Sequence, residues 1–250
     1  MQINKYILLI IVHLTFLFSR DIAYTLDNGK RQMGIFQPRI YGLKNNLEIS
    51  SHPLIFFIKP NLKIKKFHKE VNGVGLGSRF SIDYPTPMLK IFQKDGIGGL
   101  LSNSNDVGKD IPHLLVLQGE ILATRIFPKY SITTKFGIST SLGKELDSLY
   151  LIAYDLAYPR MAVYHYGIGS NSGIDFDYFY SKKILFKADI DIFFLPKEKI
   201  FIEHKLLCQY NLQKYTIAVG YKYSYGHYPF NKEGLWNLFP LIDINWAWDK

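Results

Sequence analysis

The sequence predicts an all-β protein, an antiparallel transmembrane β-barrel of about 12 strands within a range of roughly 10 to 14. Three observations support this prediction. A stretch near the N-terminus has the features of an export signal. Apolar and polar residues alternate with a period of two through the second half of the chain. Aromatic residues make up 16% of the chain, which suits the interfacial girdles of a membrane barrel.

The first 19 residues are predicted to be a signal peptide, and residues 20–250 a single β-barrel domain. Lys5 supplies the positive charge, and the largely apolar stretch at 6–18 is too short to span a bilayer as a helix. Cleavage is expected after Ser19, with Ala23 as the alternative site. No later segment is apolar for long enough to form a transmembrane helix, so a mature chain that spans a membrane must do so as a closed barrel.

The net positive charge indicates which classes of partner the protein can bind. The chain carries +9, and removing Lys5 with the signal lowers this to +8. A basic protein can bind nucleic acid, but an export signal argues against that partner. The predicted location is the cell outer membrane, and the expected partners are its lipids and lipopolysaccharide together with the barrel-assembly machinery. Cys208 is the single cysteine, so no internal disulfide is possible.

The alternation assigns residues to the inner or the outer face of the barrel wall, because successive side chains of a strand point to opposite faces. Charged side chains predicted to line the lumen are Asp175, Asp177, Lys187, Asp189, Asp191, Lys222 and Asp243. Aromatic side chains predicted to face lipid or form the girdles are Tyr215, Tyr221, Tyr223, Tyr225, Trp246 and Trp248. The last strand resembles the C-terminal signal of outer-membrane proteins, although Asp249 and Lys250 follow its final Trp.

Residues 83–112 interrupt the alternation, and such an insertion is usually functional. Thr86 is predicted to cap a short helix that begins at Pro87 and ends near Gly96. Four strands are predicted before the insertion, which places it on the periplasmic side as either a lumen plug or a surface loop. Gly73, Gly75 and Gly77 would let a plug approach the wall closely. One or two further strands are predicted between residues 149 and 169.

Several short motifs in the first half of the chain resemble those of uncharacterised outer-membrane β-barrel proteins of Bacteroidetes-type bacteria. They are GIFQP (34–38), YGL (41–43), LEIS (47–50), HPL (52–54), KPN (59–61), YPTP (84–87), GGLL (98–101) and IPH (111–113). The resemblance covers residues 24–127. It implies a barrel and an outer-membrane location, and it implies no catalytic residue.

The leading functional hypothesis is a structural role or a narrow pore for transport, with a lumen that the insertion at 83–112 could occlude. One alternative is an enzyme that hydrolyses lipid A or phospholipid, for which His113 is a weak candidate because it begins a strand. A second alternative is a soluble exported β-protein that binds an apolar ligand. The orientation of the tyrosines at 215–225 discriminates between the membrane and soluble hypotheses, because they should point outward in a membrane barrel and inward in a soluble protein.

The remaining candidate residues carry little chemistry. Lys63, Lys65 and Lys66 form a basic run that could bind anions such as lipopolysaccharide phosphates. No catalytic constellation, cofactor motif or metal-ligand spacing is recognised, so the sequence predicts no cofactor and no metal, and it favours a non-enzymatic role while leaving the hydrolase alternative open.

Overall fold

A computed structural model describes residues 21–93, 110–147, 157–196, 200–212, 214–228 and 234–248. The chain forms a closed barrel of 12 antiparallel strands in which each strand pairs with its sequence neighbours and the last strand pairs with the first. The predicted fold class is therefore confirmed. Among the described residues, no helix is long and apolar enough to cross a membrane.

The elements are numbered here in chain order. The strands are β1 (Arg31–Gly34), β2 (Arg39–Leu43), β3 (Leu47–Ser51), β4 (Asn61–Val71), β5 (Val74–Asp83), β6 (Leu115–Ile126), β7 (Tyr130–Leu142), β8 (Ile168–Phe179), β9 (Ile184–Phe194), β10 (Phe201–Asn211), β11 (Thr216–Gly226) and β12 (Leu235–Trp248). In the described part of the chain three short helices lie between strands: α1 (Thr86–Phe92), α2 (Tyr158–Met161) and α3 (Val163–Tyr166).

The two ends of the barrel differ in the length of their connections. At the short-turn end, β4 and β5 are joined by Asn72 and Gly73, whose φ angles of 50° and 76° suit a two-residue hairpin turn. The outer ends of β1 and β12 meet at the same end, where Arg31 pairs with Trp248. The connections at the opposite, long-loop end include the segments that carry all three helices. In outer-membrane barrels the short turns face the periplasm and the long loops face outward.

The insertion after β5 therefore lies at the long-loop end, and the predicted periplasmic position is wrong. The prediction counted four preceding strands because it missed β2 (Arg39–Leu43), whose five residues directly follow Pro38. One extra strand reverses the end at which every later connection emerges. The strands predicted between residues 149 and 169 are also wrong for the described part, since α2 and α3 occupy 158–166 there.

The barrel wall is uneven in height. Strands β1, β2 and β3 have four, five and five residues, whereas the other nine strands have 10 to 14. β12 pairs with β1 only through residues 245–248. The wall is therefore low between β12 and β4, and the 35–38 and 52–60 connections cover this region at the long-loop end.

The two faces of the wall have opposite chemistry. Large apolar side chains such as Ile121, Leu238 and Ile242 point outward and are 58–68% exposed. Charged side chains point inward: Glu203 and Lys222 are both 2% exposed. A soluble β-protein would bury its apolar face, so this arrangement requires an apolar solvent around the barrel and polar surroundings within it.

Candidate functional site

The barrel interior contains the start of the described chain. Residues 21–27, called the N-terminal segment below, run along the inner wall of β2–β6 toward the short-turn end. The Asp21 carboxylate pairs with Arg79 Nη1 at 2.5 Å, and the Ala23 amide donates to Thr124 Oγ1 at 2.8 Å. Nearer the end of the barrel, the Leu26 amide donates to Glu48 Oε2 at 2.9 Å. Polar contacts therefore hold the segment along its length.

Glycines make room for this segment. A Cβ atom on Gly77 would lie 2.7 Å from the Ala23 carbonyl oxygen, and one on Gly75 would lie 2.6 Å from the Tyr24 ring. The sequence indicated that these glycines would accommodate a plug near the Met88 helix. Their neighbours in the structure are instead Ala23 and Tyr24, so the close approach is made by the N-terminal segment.

The three helices close the long-loop end and form, with the inner wall, an apolar cluster called the helical cap. Its buried members include Met88, Leu89 and Phe92 from α1, and Tyr158, Met161 and Tyr164 from α2 and α3. They pack against wall residues such as Phe201. The cap therefore places a packed apolar cluster over this end of the lumen, and the helix predicted within 83–112 contributes to it.

The predicted cap of that helix is displaced by one residue. α1 begins at Thr86 and its N-cap is Pro85, so Thr86 is not the N-cap. The Thr86 hydroxyl instead donates to the Pro112 carbonyl at 3.0 Å and accepts the Leu114 amide at 2.9 Å. Thr86 thus joins the start of the insertion to its end, and the helix gains its first turn without a side-chain cap. Gly96 lies outside the described residues.

Ion pairs join neighbouring strands along the inner wall between the N-terminal segment and the helical cap. Lys135 Nζ lies 3.0 Å from Asp175 and 2.8 Å from Asp191. Glu203 accepts from Lys222 Nζ at 2.6 Å and from Arg160 Nη2 at 2.5 Å. The predicted lumen charges all lie on the inner wall, namely Asp175, Asp177, Lys187, Asp189, Asp191, Lys222 and Asp243.

The most connected members of this network were not among the predicted residues. Arg79 Nε donates to Glu120 Oε2 at 2.5 Å, so Arg79 bridges the wall and the N-terminal segment. Lys135 similarly bridges β7 to β8 and β9. Arg79, Glu120 and Lys135 all occupy inward positions of the alternating strands β5, β6 and β7. Extending the period-two pattern to those strands would have identified them.

A polar cavity of ≈ 190 Å³ lies between the N-terminal segment and the helical cap. Its lining includes Asp21, Arg79, Glu120 and Lys135 from below and Arg160 from α2. It has room for several waters or a small polar solute. Among the described residues, no three His, Cys, Asp or Glu side chains are grouped so as to hold a metal ion.

Buried groups in the connections tie the long-loop end together. His52 Nε2 lies 3.0 Å from the Phe36 carbonyl oxygen, and burial lowers the pKa of this histidine. Lys59 Nζ lies 3.4 Å from Asp83. Burial alone would lower the pKa of Lys59, but the nearby Asp83 carboxylate and Tyr164 hydroxyl outweigh burial and raise the pKa above its usual value. Lys59 therefore stays charged.

Aromatic side chains ring the outer wall near both ends. Toward the long-loop end, the Trp236 ring lies 4.7 Å from Tyr223 and 4.1 Å from Tyr225. Toward the short-turn end lie the outward residues Trp246 and Trp248 on β12 and Tyr215 directly before β11. Tyr221 also points outward. Amphipathic rings settle at the two headgroup layers of a bilayer, so two girdles flank the apolar band.

These features together show which medium surrounds the barrel. The barrel is closed, its outer face is apolar between two aromatic girdles, and its lumen is charged. The chain is an integral outer-membrane β-barrel. The soluble alternative required the tyrosines of β11 to point into a core, and they point outward.

Comparison with known proteins gives similarity of architecture at low sequence identity. No family model matches the sequence, and no curated protein matches it. Among solved structures, OmpT of Vibrio cholerae is 8% identical over 87% of this chain, with a TM-score of 0.45. A bacterial polysaccharide outer-membrane secretin is 8% identical over 88%, with a TM-score of 0.47. The toluene transporter TodX of P. putida is 8% identical over 88%, with a TM-score of 0.37.

The similar proteins are longer than this chain. The alignment spans 64% of that OmpT chain, 69% of the secretin and 82% of TodX. This chain therefore corresponds to only part of each of those proteins.

The predicted basic run of Lys63, Lys65 and Lys66 is divided between the inner and outer faces of the wall. Lys63 and Lys65 point into the lumen, where Lys65 Nζ lies 3.0 Å from Glu48 Oε1. Lys66 is exposed on the outer wall. Neighbouring residues of a strand point to opposite faces, so the structure does not bring the three lysines together as one anion site.

The histidine candidate is placed differently from the expectation. His113 is exposed, and its Nδ1 contacts the Tyr84 hydroxyl rather than a serine. His68 does contact a serine: its Nε2 lies 2.8 Å from Ser78 Oγ at an exposed site. A bulge between Phe67 and Lys69 places this histidine next to Ser78 on the outer wall. No sequence motif indicated this pair because bulges shift the pairing register.

Proposed function

We propose that this barrel is a transport channel in an occluded state, with the polar cavity as the site for a small polar or charged solute. The observation that carries the proposal is the position of the cavity, which lies between the N-terminal segment and the helical cap. A barrel of 12 strands is wider than the eight-stranded barrels whose wall side chains just fill the interior, so internal segments can decide whether it conducts. Here two different segments close the two ends.

The two closures differ in the forces that hold them. The N-terminal segment is attached mainly through polar contacts, which include the Asp21–Arg79 and Asp21–Lys135 pairs and single hydrogen bonds from Ala23 and Leu26. One aromatic contact adds to them, since the Tyr24 ring stacks 4.9 Å from the Phe67 ring. Water can replace the polar contacts when the segment moves. The helical cap is held by burial of aromatic and aliphatic side chains such as Tyr158, Met161 and Phe201. The segment is therefore the more readily displaced of the two closures.

Ion conductance across planar bilayers tests the proposal. Four proteins are compared: the mature chain, a variant lacking residues 21–26, a variant with residues 86–92 and 144–166 each replaced by a short Gly-Ser linker, and the double variant that combines both changes. We expect no conductance steps from the first three and steady ohmic steps from the double variant, because each closure suffices alone. Heat-modifiable migration on gels verifies that each barrel is folded. A folded double variant that passes no ions would contradict the channel and favour a structural role.

Export and assembly are proposals supported by sequence motifs. We propose that residues 1–19 are removed as a signal peptide, that the barrel-assembly machinery inserts the chain in a Gram-negative outer membrane beside lipopolysaccharide, and that the protein belongs with the Bacteroidetes-type barrels. Intact mass of the protein purified from outer membranes should correspond to a chain that begins at Arg20. A mass that retains the first 19 residues would contradict cleavage.

Lipid hydrolysis is the second candidate function, and the His68–Ser78 contact favours it. A serine hydrolase needs a base within hydrogen-bond reach of its nucleophile, and the distance of 2.8 Å meets this requirement on the lipid-exposed wall. The test measures fatty-acid release from phospholipid and lipid A vesicles. Catalysis by this pair predicts that Ser78→Ala abolishes release and that His113→Ala leaves it unchanged. Absence of release by the parent barrel would remove the hydrolase hypothesis.

A further inference from the structure

An apolar groove of ≈ 490 Å³ lies on the outer wall where the barrel is lowest. It spans the outward residues of β1–β4, including Tyr41, Ile49 and Leu62, and the connection after β3 borders it with Phe56 and Phe57. Phe57 is 88% exposed. The long strands elsewhere give a continuous apolar wall, whereas the short strands β1–β3 leave a depression. The outer wall is in the bilayer, so lipid is the molecule that reaches this depression.

Two arginines lie in the same groove. Arg31 and Arg39 both point outward, Arg31 directly opposite Tyr41 and Arg39 two residues before Tyr41 on the same face of β2. Diagonal positions of this kind are about 7–8 Å apart. Guanidinium groups at that spacing can contact the same phosphate group from two sides.

Neither arginine has an acidic partner within salt-bridge distance in the described part of the chain. The Arg31 Nε atom is buried and has no hydrogen-bond partner among the described residues. The Arg31 guanidinium carbon lies 5.2 Å from the centre of the Tyr41 ring, so the ring supports one face of the group. The edge donors remain available for a ligand. A guanidinium beside hydrocarbon without a counter-charge is costly, so the site favours an anion.

We propose that this groove binds an anionic membrane phospholipid, with its phosphate between Arg31 and Arg39 and one acyl chain along Tyr41, Ile49 and Leu62. Charge and apolar lining together select this ligand. A free phosphate would gain nothing from the apolar groove, and a zwitterionic lipid would bring its own cation beside two guanidinium groups. The site lies on the outer wall and is independent of whether the lumen conducts.

Native mass spectrometry of the detergent-purified full-length barrel tests the proposal, with phosphatidylglycerol and phosphatidylcholine as probes. We expect the parent to retain phosphatidylglycerol about tenfold more tightly, since charge-assisted bidentate contacts distinguish the two headgroups. The double variant Arg31→Gln/Arg39→Gln should lose this preference. Arg125→Gln is the matched control, because Arg125 is also an outward arginine beside an aromatic ring, 5.1 Å from the centre of Phe127. It should keep the preference.

A further variant and a competitor distinguish lipid binding in the groove from nonspecific electrostatic attraction. Ile49→Trp fills the groove and leaves both arginines, so it should weaken retention of phosphatidylglycerol as well. Inorganic phosphate in excess should not displace the lipid. Equal retention of the two lipids by the parent, an unchanged preference in the double arginine variant, or an equal loss in Arg125→Gln would each overturn the proposal. Displacement by inorganic phosphate would identify a site for free anions and would also overturn it.

Discussion

Gly77→Val is expected to displace the N-terminal segment from the barrel interior. A Cβ atom at Gly77 would approach the Ala23 carbonyl oxygen to 2.7 Å and the Ala23 Cα atom to 3.2 Å. Both are backbone atoms, so rotating a side chain cannot relieve the overlap. Overpacking of this kind costs about 1–3 kcal/mol. The cost acts on a segment held by a few polar contacts, so the segment rather than the strand should move.

Hydrogen–deuterium exchange measures this displacement at the amides of residues 22–26. The opening equilibrium should rise about 5- to 150-fold, which is the equivalent of that energetic cost. Gly119→Val is the matched control, because no atom of the described residues lies within 4 Å of a Cβ built at Gly119, an outward position on β6. Exchange in the control should match that of the parent. Equal exchange in the two variants would show that Gly77 is not needed for seating the segment.

Arg79→Met should destabilise the whole barrel. The Arg79 guanidinium contacts both Asp21 and Glu120, and all three side chains are at most 10% exposed. Methionine fills similar space but leaves two buried carboxylates without this partner. Removing one member of a buried ion pair costs about 3–5 kcal/mol, and the loss should appear as a lower free energy of unfolding.

Urea titration of the barrel in lipid vesicles, followed by tryptophan fluorescence, checks this expectation. Lys144→Met is the control: Lys144 and Asp147 form a pair at 3.7 Å whose side chains are 77% and 80% exposed. Exposed pairs contribute about 0–1 kcal/mol, so this variant should unfold almost as the parent does. Combining Arg79→Met with Glu120→Gln should recover part of the loss. A shift no larger than that of Lys144→Met would mean that lumen water solvates the carboxylates.

The barrel class was predictable from local pattern. Alternation along β8, β9 and β11 identified the inward aspartates and the outward tyrosines, because a strand side chain has only two directions. The same rule failed at β2, where Pro38 and Gly42 obscured a strand of five residues. One missed strand was enough to place the insertion at the wrong end of the barrel. A single missed strand therefore changes the end of the barrel at which a later loop is predicted to emerge, whereas it leaves the predicted fold class unchanged.

By itself, then, the sequence determined the closed barrel, its apolar exterior and its charged interior, since these follow from residues that are neighbours along one strand. The tertiary structure alone decided which segments fill the lumen, which arginines have no acidic partner in the described chain, and which serine meets a histidine. Asp21 and Arg79 are 58 residues apart, and Ala23 and Thr124 are 101 apart. Such contacts depend on register, shear and bulges around the closed wall, and none of these is encoded in the local alternation of residues.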